Sequence, residues 1–166
     1  MHATPDDLFR RFDELGIRVR VHEHDPVFTV EEAKHLRGIL PGGHCKNLFL
    51  RGKKGEPWLI VCDEDRKVDL KALAARTGAG RFSFGSPERL WETLGVKPGS
   101  VTPFALINDR SNQVSVVLDA AMMEHDPLNY HPLVNTMTCA IARDDLVKFI
   151  EACGHKPQIM DLDQTV

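Results

Sequence analysis

Five glycines, Gly16, Gly38, Gly78, Gly95 and Gly154, each close a short stretch of helical spacing, and this punctuation restricts the chain to short elements. Several of the stretches also carry start signals. Thr4-Pro5-Asp6-Asp7 offers a capping threonine, a proline at the first helical position and acids at the positive end of the dipole. Leu8, Phe9, Phe12 and Leu15 then recur at helical spacing. Thr29-Val30-Glu31-Glu32 has the form of a capping box and predicts a helix to about Arg37. Val68 to Arg76 reads as a helix with Asp69 near its start, and Ser86-Pro87-Glu88 opens another that carries Leu90, Trp91 and Leu94. Arg143 to Cys153 turns Leu146, Val147, Phe149 and Ile150 to one side.

Between these lie short extended runs. Ile17 to His24 alternates, with Ile17, Val19 and Val21 on one face and Arg18, Arg20 and His22 on the other. Leu48 to Leu50 and Trp58 to Cys62 read as strands joined by a polar loop that carries Arg51, Lys53 and Lys54. Arg81 to Phe84, Phe104 to Asn108, Val114 to Asp119, the end of His131 to Ala142, and Lys156 to Met160 are also expected to be extended. Many short strands, four or five helices and no regular βαβ alternation predict an α+β fold, and 166 residues suit a single domain. No apolar run approaches the roughly 20 residues of a membrane span. Cys45, Cys62, Cys139 and Cys153 are scattered, without a C-x-x-C pair. With no secretory pattern at the start, that predicts reduced thiols in a cytoplasmic protein.

The chemistry centres on Pro41-Gly42-Gly43-His44-Cys45-Lys46-Asn47. A lysine at the start of a strand, beside backbone opened by two glycines, can hold a phosphate or a developing negative charge; it can also be a solvated edge lysine. Lysine at its reference pKa carries a proton at neutral pH, so Lys46 is better suited to clamp an anion than to act as a base. Net charge is −3 and gives no overall steering to nucleic acid, so DNA is not an expected partner. Lys46 to Arg81, however, holds nine Lys/Arg against five acids, a local +4 that leaves −7 for the remainder and suits contact with a polyanion on one face. His22 and His24 share a strand face but have no third ligand nearby in sequence. His44 and Cys45 are strand neighbours and point apart, which argues against a thiol nucleophile served by that histidine. Phosphate-binding, dinucleotide, zinc-protease and serine-hydrolase motifs are all absent.

Three stretches occur together: Gly43-His44-Cys45-Lys46-Asn47-Leu48-Phe49-Leu50, the G-x-x-x-P loop Gly99-Ser100-Val101-Thr102-Pro103, and His131-Pro132-Leu133-Val134-Asn135-Thr136-Met137-Thr138. In this order the chain resembles the YbaK/prolyl-tRNA synthetase editing-domain superfamily from about Thr4 to Asp161, and within it the free-standing ProXp-ala group. The resemblance implies a mixed β-sheet or partial barrel with surrounding helices. It implies hydrolysis of mischarged alanyl-tRNA(Pro), without metal or other cofactor. Partners would be the acceptor end of aminoacylated tRNA and, transiently, prolyl-tRNA synthetase. On this basis Lys46 and Asn47 would meet the tRNA 3′ end, and Gly99 to Pro103 would contact the terminal adenosine. His131 to Thr138 would line the aminoacyl pocket.

An aminoacyl ester is already activated, so positioned water and a stabilised oxyanion suffice. Backbone N–H groups of Gly99 and Ser100 are candidate oxyanion donors, and His131 a second positioning group. Val21, Phe28, Val30, Ile39 and Thr136 are nominated for a pocket that admits alanine and excludes proline, and Arg51, Lys53 and Lys54 for tRNA. The alternatives are a deacylase of cysteinyl-tRNA(Pro) or seryl-tRNA, and a non-catalytic module holding an aminoacyl or nucleotide ligand.

Overall fold

A computed structural model describes residues 2–26, 35 and 40–162. The expected helix from Thr29, and with it Phe28, Val30 and Ile39, lies outside the described residues. Helix α1 spans Pro5–Leu15 and is capped as its sequence predicts. The Thr4 hydroxyl accepts from the Asp7 amide at 3.2 Å, and the Asp7 carboxylate accepts from the Thr4 amide at 2.9 Å. Those bonds hold the exposed Asp7 carboxyl below its usual range. Helix α2 (Leu70–Thr77) starts at Asp69, and α3 (Pro87–Leu94) at Ser86, both by the same side-chain-to-amide bond. Helix α4 spans Arg143–Ala152.

Eight strands form one mixed sheet among the described residues: β1 (Val19–Glu23), β2 (Gly43–Arg51), β3 (Pro57–Asp63), β4 (Ser83–Phe84), β5 (Ser115–Asp119), β6 (Leu128–Tyr130), β7 (Met137–Ile141) and β8 (Gln158–Met160). Their order is β1-β7-β6-β2-β3-β5-β8, with β4 beside the end of β2. The sheet is open, and β1 and β8 are its edges. Strand β2 belongs to two ladders. Its first residues run parallel to β6, Gly43 opposite Leu128 and His44 opposite Asn129. From Cys45 to Arg51 it runs antiparallel to β3.

Alternation along the strands sorts the core into two layers. On one face Phe49, Leu59, Val61, Val116, Leu118, Leu128, Cys139 and Ile141 pack with α1, α3 and α4. Phe12, Phe104 and Phe149 meet edge to face there, with ring centres 5.1 to 5.6 Å apart. On the other face Leu50, Trp58, Ile60, Cys62 and Val117 pack under Leu73 and Ala74 of α2. Covered on both faces, β3 reads as a continuous apolar run. Asp109 ties the far end together: its carboxylate accepts from the amides of Gln113 and Val114 and sits 2.8 Å from His155 Nε2.

Three expectations change, and one strand comes without any. Phe104 to Asn108 is not a strand but part of a 3-10 helix, Pro103–Asn108; Thr102 caps it and Pro103 begins it. Lys46 is not at the start of its strand, because β2 begins at Gly43. The three-residue β6, wedged between Pro127 and His131, has no sequence signal of its own. Val21 keeps the core-side face of β1, opposite Cys139, but is 45% exposed, because among the described residues β1 is an edge strand. No helix among the described residues is long and apolar enough to cross a membrane.

Phe12 is 1% exposed and contacts two rings, so Phe12→Ala should cost about 3–5 kcal/mol. Urea unfolding of variant and wild type measures the difference; a cost below about 1 kcal/mol would show that the ring cluster is not the keystone of this layer.

Candidate active site

Side chains at even positions of β2, namely His44, Lys46, Leu48 and Leu50, share the face covered by α2, since Leu48 and Leu50 pack there. Asn129 opposite His44, Ala140 opposite Asn129, and Arg20 opposite Ala140 carry that face across β6, β7 and β1. Over this half of the sheet the face lines a cleft of about 590 Å³, walled by Leu40, Pro41 and Pro127 as well as by the strands. The β2–β6 ladder ends at His44 and Asn129. Two residues further on, Lys46 on β2 and His131 just past β6 follow on the same face. Asn47 takes the opposite face with Cys45 and Phe49, and its side-chain oxygen is buried without a partner among the described residues.

The β6–β7 hairpin loop, residues 131–136, holds the other motif. His131 Nδ1 donates to Met137 O at 2.8 Å and closes the loop on itself. That bond fixes the neutral tautomer with Nε2 as a lone-pair site. Burial pushes the His131 pKa below 6.5, and the ring of His24, 6.1 Å away, adds to the effect. His24 bonds Thr138 Oγ1 through Nε2 at 2.8 Å and stacks on His22 at 6.0 Å. Leu133 in the same loop has φ +72, a conformation that a branched side chain adopts only when its surroundings enforce it.

The Gly99 loop meets this hairpin. Gly99 has φ +91, and a Cβ built on it would lie 3.9 Å from Asn135 Nδ2. Ser100, Asn135 and Thr136 line one cavity of about 540 Å³ together with His2, Trp91 and Lys97. The Ser100 amide donates to Lys97 O at 3.0 Å, so a tight turn already occupies this expected oxyanion donor. The Gly99 amide makes no backbone hydrogen bond among the described residues. Val101 is half-buried against the core. Thr102 and Pro103 are buried in capping and core packing and line neither cavity.

The structure therefore gathers Ser100 with Thr136 in one cavity, while Lys46 and His131 follow on one sheet face beyond the last β2–β6 pair and line neither the cleft nor that cavity. It does not bring the two described pocket nominees together, since Val21 lines the cleft and Thr136 the cavity. Arg51 is exposed and bonds Ser83 Oγ. Lys53 and Lys54 lie in the turn beyond it, at least five strand residues, or roughly 17 Å, from Lys46. The glycine pair has a different task from the one expected. The Gly43 amide donates to Pro127 O at 2.8 Å, and a Cβ on Gly43 would lie 2.8 Å from His125 Cβ. The glycines let β2 press against the segment before β6 rather than opening backbone to a phosphate.

Burial pushes the Cys45 thiol up to about 12 and the Cys62 thiol, opposite Lys46, to about 11. Neither supplies a thiolate at neutral pH. Among the described residues no cluster of three or more His, Cys, Asp or Glu could hold a metal ion. Arg18 and Arg20, which the alternation places only on the polar face of their strand, also line the cleft.

The aminoacyl-tRNA editing domain model matches residues 24–149. The chain is 37% identical over 156 residues to the prolyl-tRNA editing protein ProX of Acetoanaerobium sticklandii, covering 93% of this chain and 95% of that protein. It is 38% identical over 162 residues to prolyl-tRNA synthetase associated domain-containing protein 1 of Bos taurus, covering 95% and 94%. The crystal structure of a candidate trans-editing enzyme for prolyl tRNA synthetase superposes with a TM-score of 0.72 over 98% of both chains; at 18% identity that likeness concerns the fold.

Because the folded state keeps His131 neutral, its contribution to stability is complete above pH 6.5 and is lost as the pH falls below 6.5 towards the lowered value. His131→Gln removes this titration, so its unfolding free energy should fall less steeply below pH 6.5 than that of the wild type. Parallel slopes in denaturant titrations would show that the ring is not held neutral by the fold.

Proposed function

The chain belongs to the aminoacyl-tRNA editing domain family, and from that premise we propose that it is a trans-editing hydrolase that removes alanine from mischarged tRNA(Pro). The observation that carries this is the arrangement about the β6–β7 loop. His131 stands beyond the last β2–β6 pair on the face of Lys46, while Asn135 of the same loop meets Gly99. A phosphate-gripping cation, a polar ring and an open glycine are what ester hydrolysis by positioned water requires.

In this scheme Lys46 grips a phosphate of the tRNA 3′ end, with Arg51, Lys53 and Lys54 available to more distant parts of the nucleic acid. His131 Nε2 accepts a hydrogen bond from the attacking water or from a ribose hydroxyl. The Gly99 amide donates to the oxyanion in place of Ser100, whose amide is engaged by Lys97. No covalent intermediate is needed, in keeping with thiols that burial holds protonated. Selectivity follows from size: alanine enters and the pyrrolidine ring does not. Serine, which adds only a hydroxyl, is rejected by no more than about 10². The partner is aminoacylated tRNA in the cytoplasm, met as it leaves prolyl-tRNA synthetase.

A deacylation panel of alanyl-, cysteinyl-, seryl- and prolyl-tRNA(Pro) tests the assignment. Alanyl-tRNA(Pro) should be hydrolysed fastest and prolyl-tRNA(Pro) spared; faster cysteinyl turnover would reassign the substrate, and no turnover of any would leave only a binding module. Lys46→Ala should lower alanyl-tRNA(Pro) deacylation by at least about tenfold with the fold intact. Unchanged turnover would remove the clamp.

A further inference from the structure

Arg18, just before β1, and Arg20 within it project on the same sheet face as Lys46, and both are exposed walls of the cleft. We infer that this arginine pair is a second anchor for nucleic acid, which holds the phosphates of the single-stranded tRNA 3′ terminus as it crosses the cleft towards Lys46. Such a role presupposes the deacylase function proposed for the site.

Four features support it. First, neither guanidinium is in an ion pair among the described residues, so both are available to an anion. Second, residues two apart on a strand project about 7 Å apart, close to the step between phosphates of an extended single strand. Third, the floor between the arginines and Lys46 suits nucleotides. Ala140 and Ala142 offer flat apolar surface, and Asn129 offers a hydrogen bond. Asn129 already donates to Pro41 O and Gly43 O, which leaves its buried side-chain oxygen as an unpartnered acceptor. Fourth, from β2 across β6 and β7 to β1 is three strand spacings, about 14 Å, the length of a short run of nucleotides.

Among the described residues the one carboxylate lining the cleft is Asp126, which accepts from the Arg143 amide at 3.2 Å. Against it stand Arg18, Arg20 and His22, so the cleft suits a polyanion rather than a cationic peptide. A planar guanidinium can also stack on a base while its edge holds a phosphate.

The test uses uncharged tRNA(Pro), intact or lacking its single-stranded CCA, and reads affinity against salt concentration. Releasing two single-strand phosphate contacts lowers the slope of log K against log salt by about 1.4. Wild type should therefore lose about sevenfold more affinity than Arg18→Ala/Arg20→Ala over a fourfold rise in salt. The difference should vanish on the CCA-less tRNA, and Arg18→Lys/Arg20→Lys should keep the wild-type slope. Equal slopes for wild type and the Ala pair would overturn the anchor. So would an effect of the Ala pair that persists without CCA, which would place the contact on the helical stem. Because the binding assay needs no turnover, its failure is separable from failure of the deacylase function, which the aminoacyl-tRNA panel reads on wild type alone.

Discussion

The site depends on one change of partner. Strand β2 begins as the parallel neighbour of β6 on one edge and, after two residues, that ladder ends while the antiparallel pairing with β3 on the other edge runs on to Arg51. Pairing with β3 along one edge holds β2 in place for the rest of its length, while on its other edge β6 ends at Tyr130 and β4 takes up pairing only at Leu50. Between those two partners the edge of β2 is left open beside the hairpin loop. Lys46 and His131 thus follow on one face where no ladder joins their strands, and the gap between two diverging chains is where a substrate can enter.

The same face is treated differently on its two halves. Over β2, β3 and β5, α2 covers it and makes a second core. Over β1, β7 and β6 it carries arginine, histidine, asparagine and threonine at the positions where leucine and isoleucine stand elsewhere. Behind β1, β7 and β6 the opposite face packs on the core, so the polar half does not threaten stability: Cys139, Ile141 and Leu128 anchor these strands from behind. The glycines that looked like ligand-binding backbone belong to this framework, since they allow β2 to pass close to His125 and Pro127. The chemistry falls to side chains and to Gly99.

Helix starts were legible because their signals are local. Thr4-Pro5, Asp69 and Ser86-Pro87 cap the helices that their neighbours predict. Thr102-Pro103 is the same kind of signal, but the apolar run after it looked like a strand; the resulting helix is one tight 3-10 segment buried in the core. What the sequence could not disclose is pairing. The length of β2, the existence of β6 and the exposure of Val21 are all decided by strands distant in the chain. At the site, motif order pointed to Lys46, Gly99 and the His131 loop as neighbours. It could not tell that Asn47 turns away from Lys46, that a turn engages the Ser100 amide, or that Arg18 and Arg20 share the lysine's face.

The strand order also sets how firmly each part of the sheet is held. Strand β3 has neighbours on both sides and cover on both faces, whereas β1 is an edge, paired among the described residues only with β7. Resistance to local opening therefore declines across the sheet, from Leu59–Val61 outward to Val19–Glu23. The cleft lies at the yielding end of that gradient. Its outer wall can shift to admit a bulky polymer while the amides at the centre stay locked, so accommodation does not require the rest of the molecule to unfold.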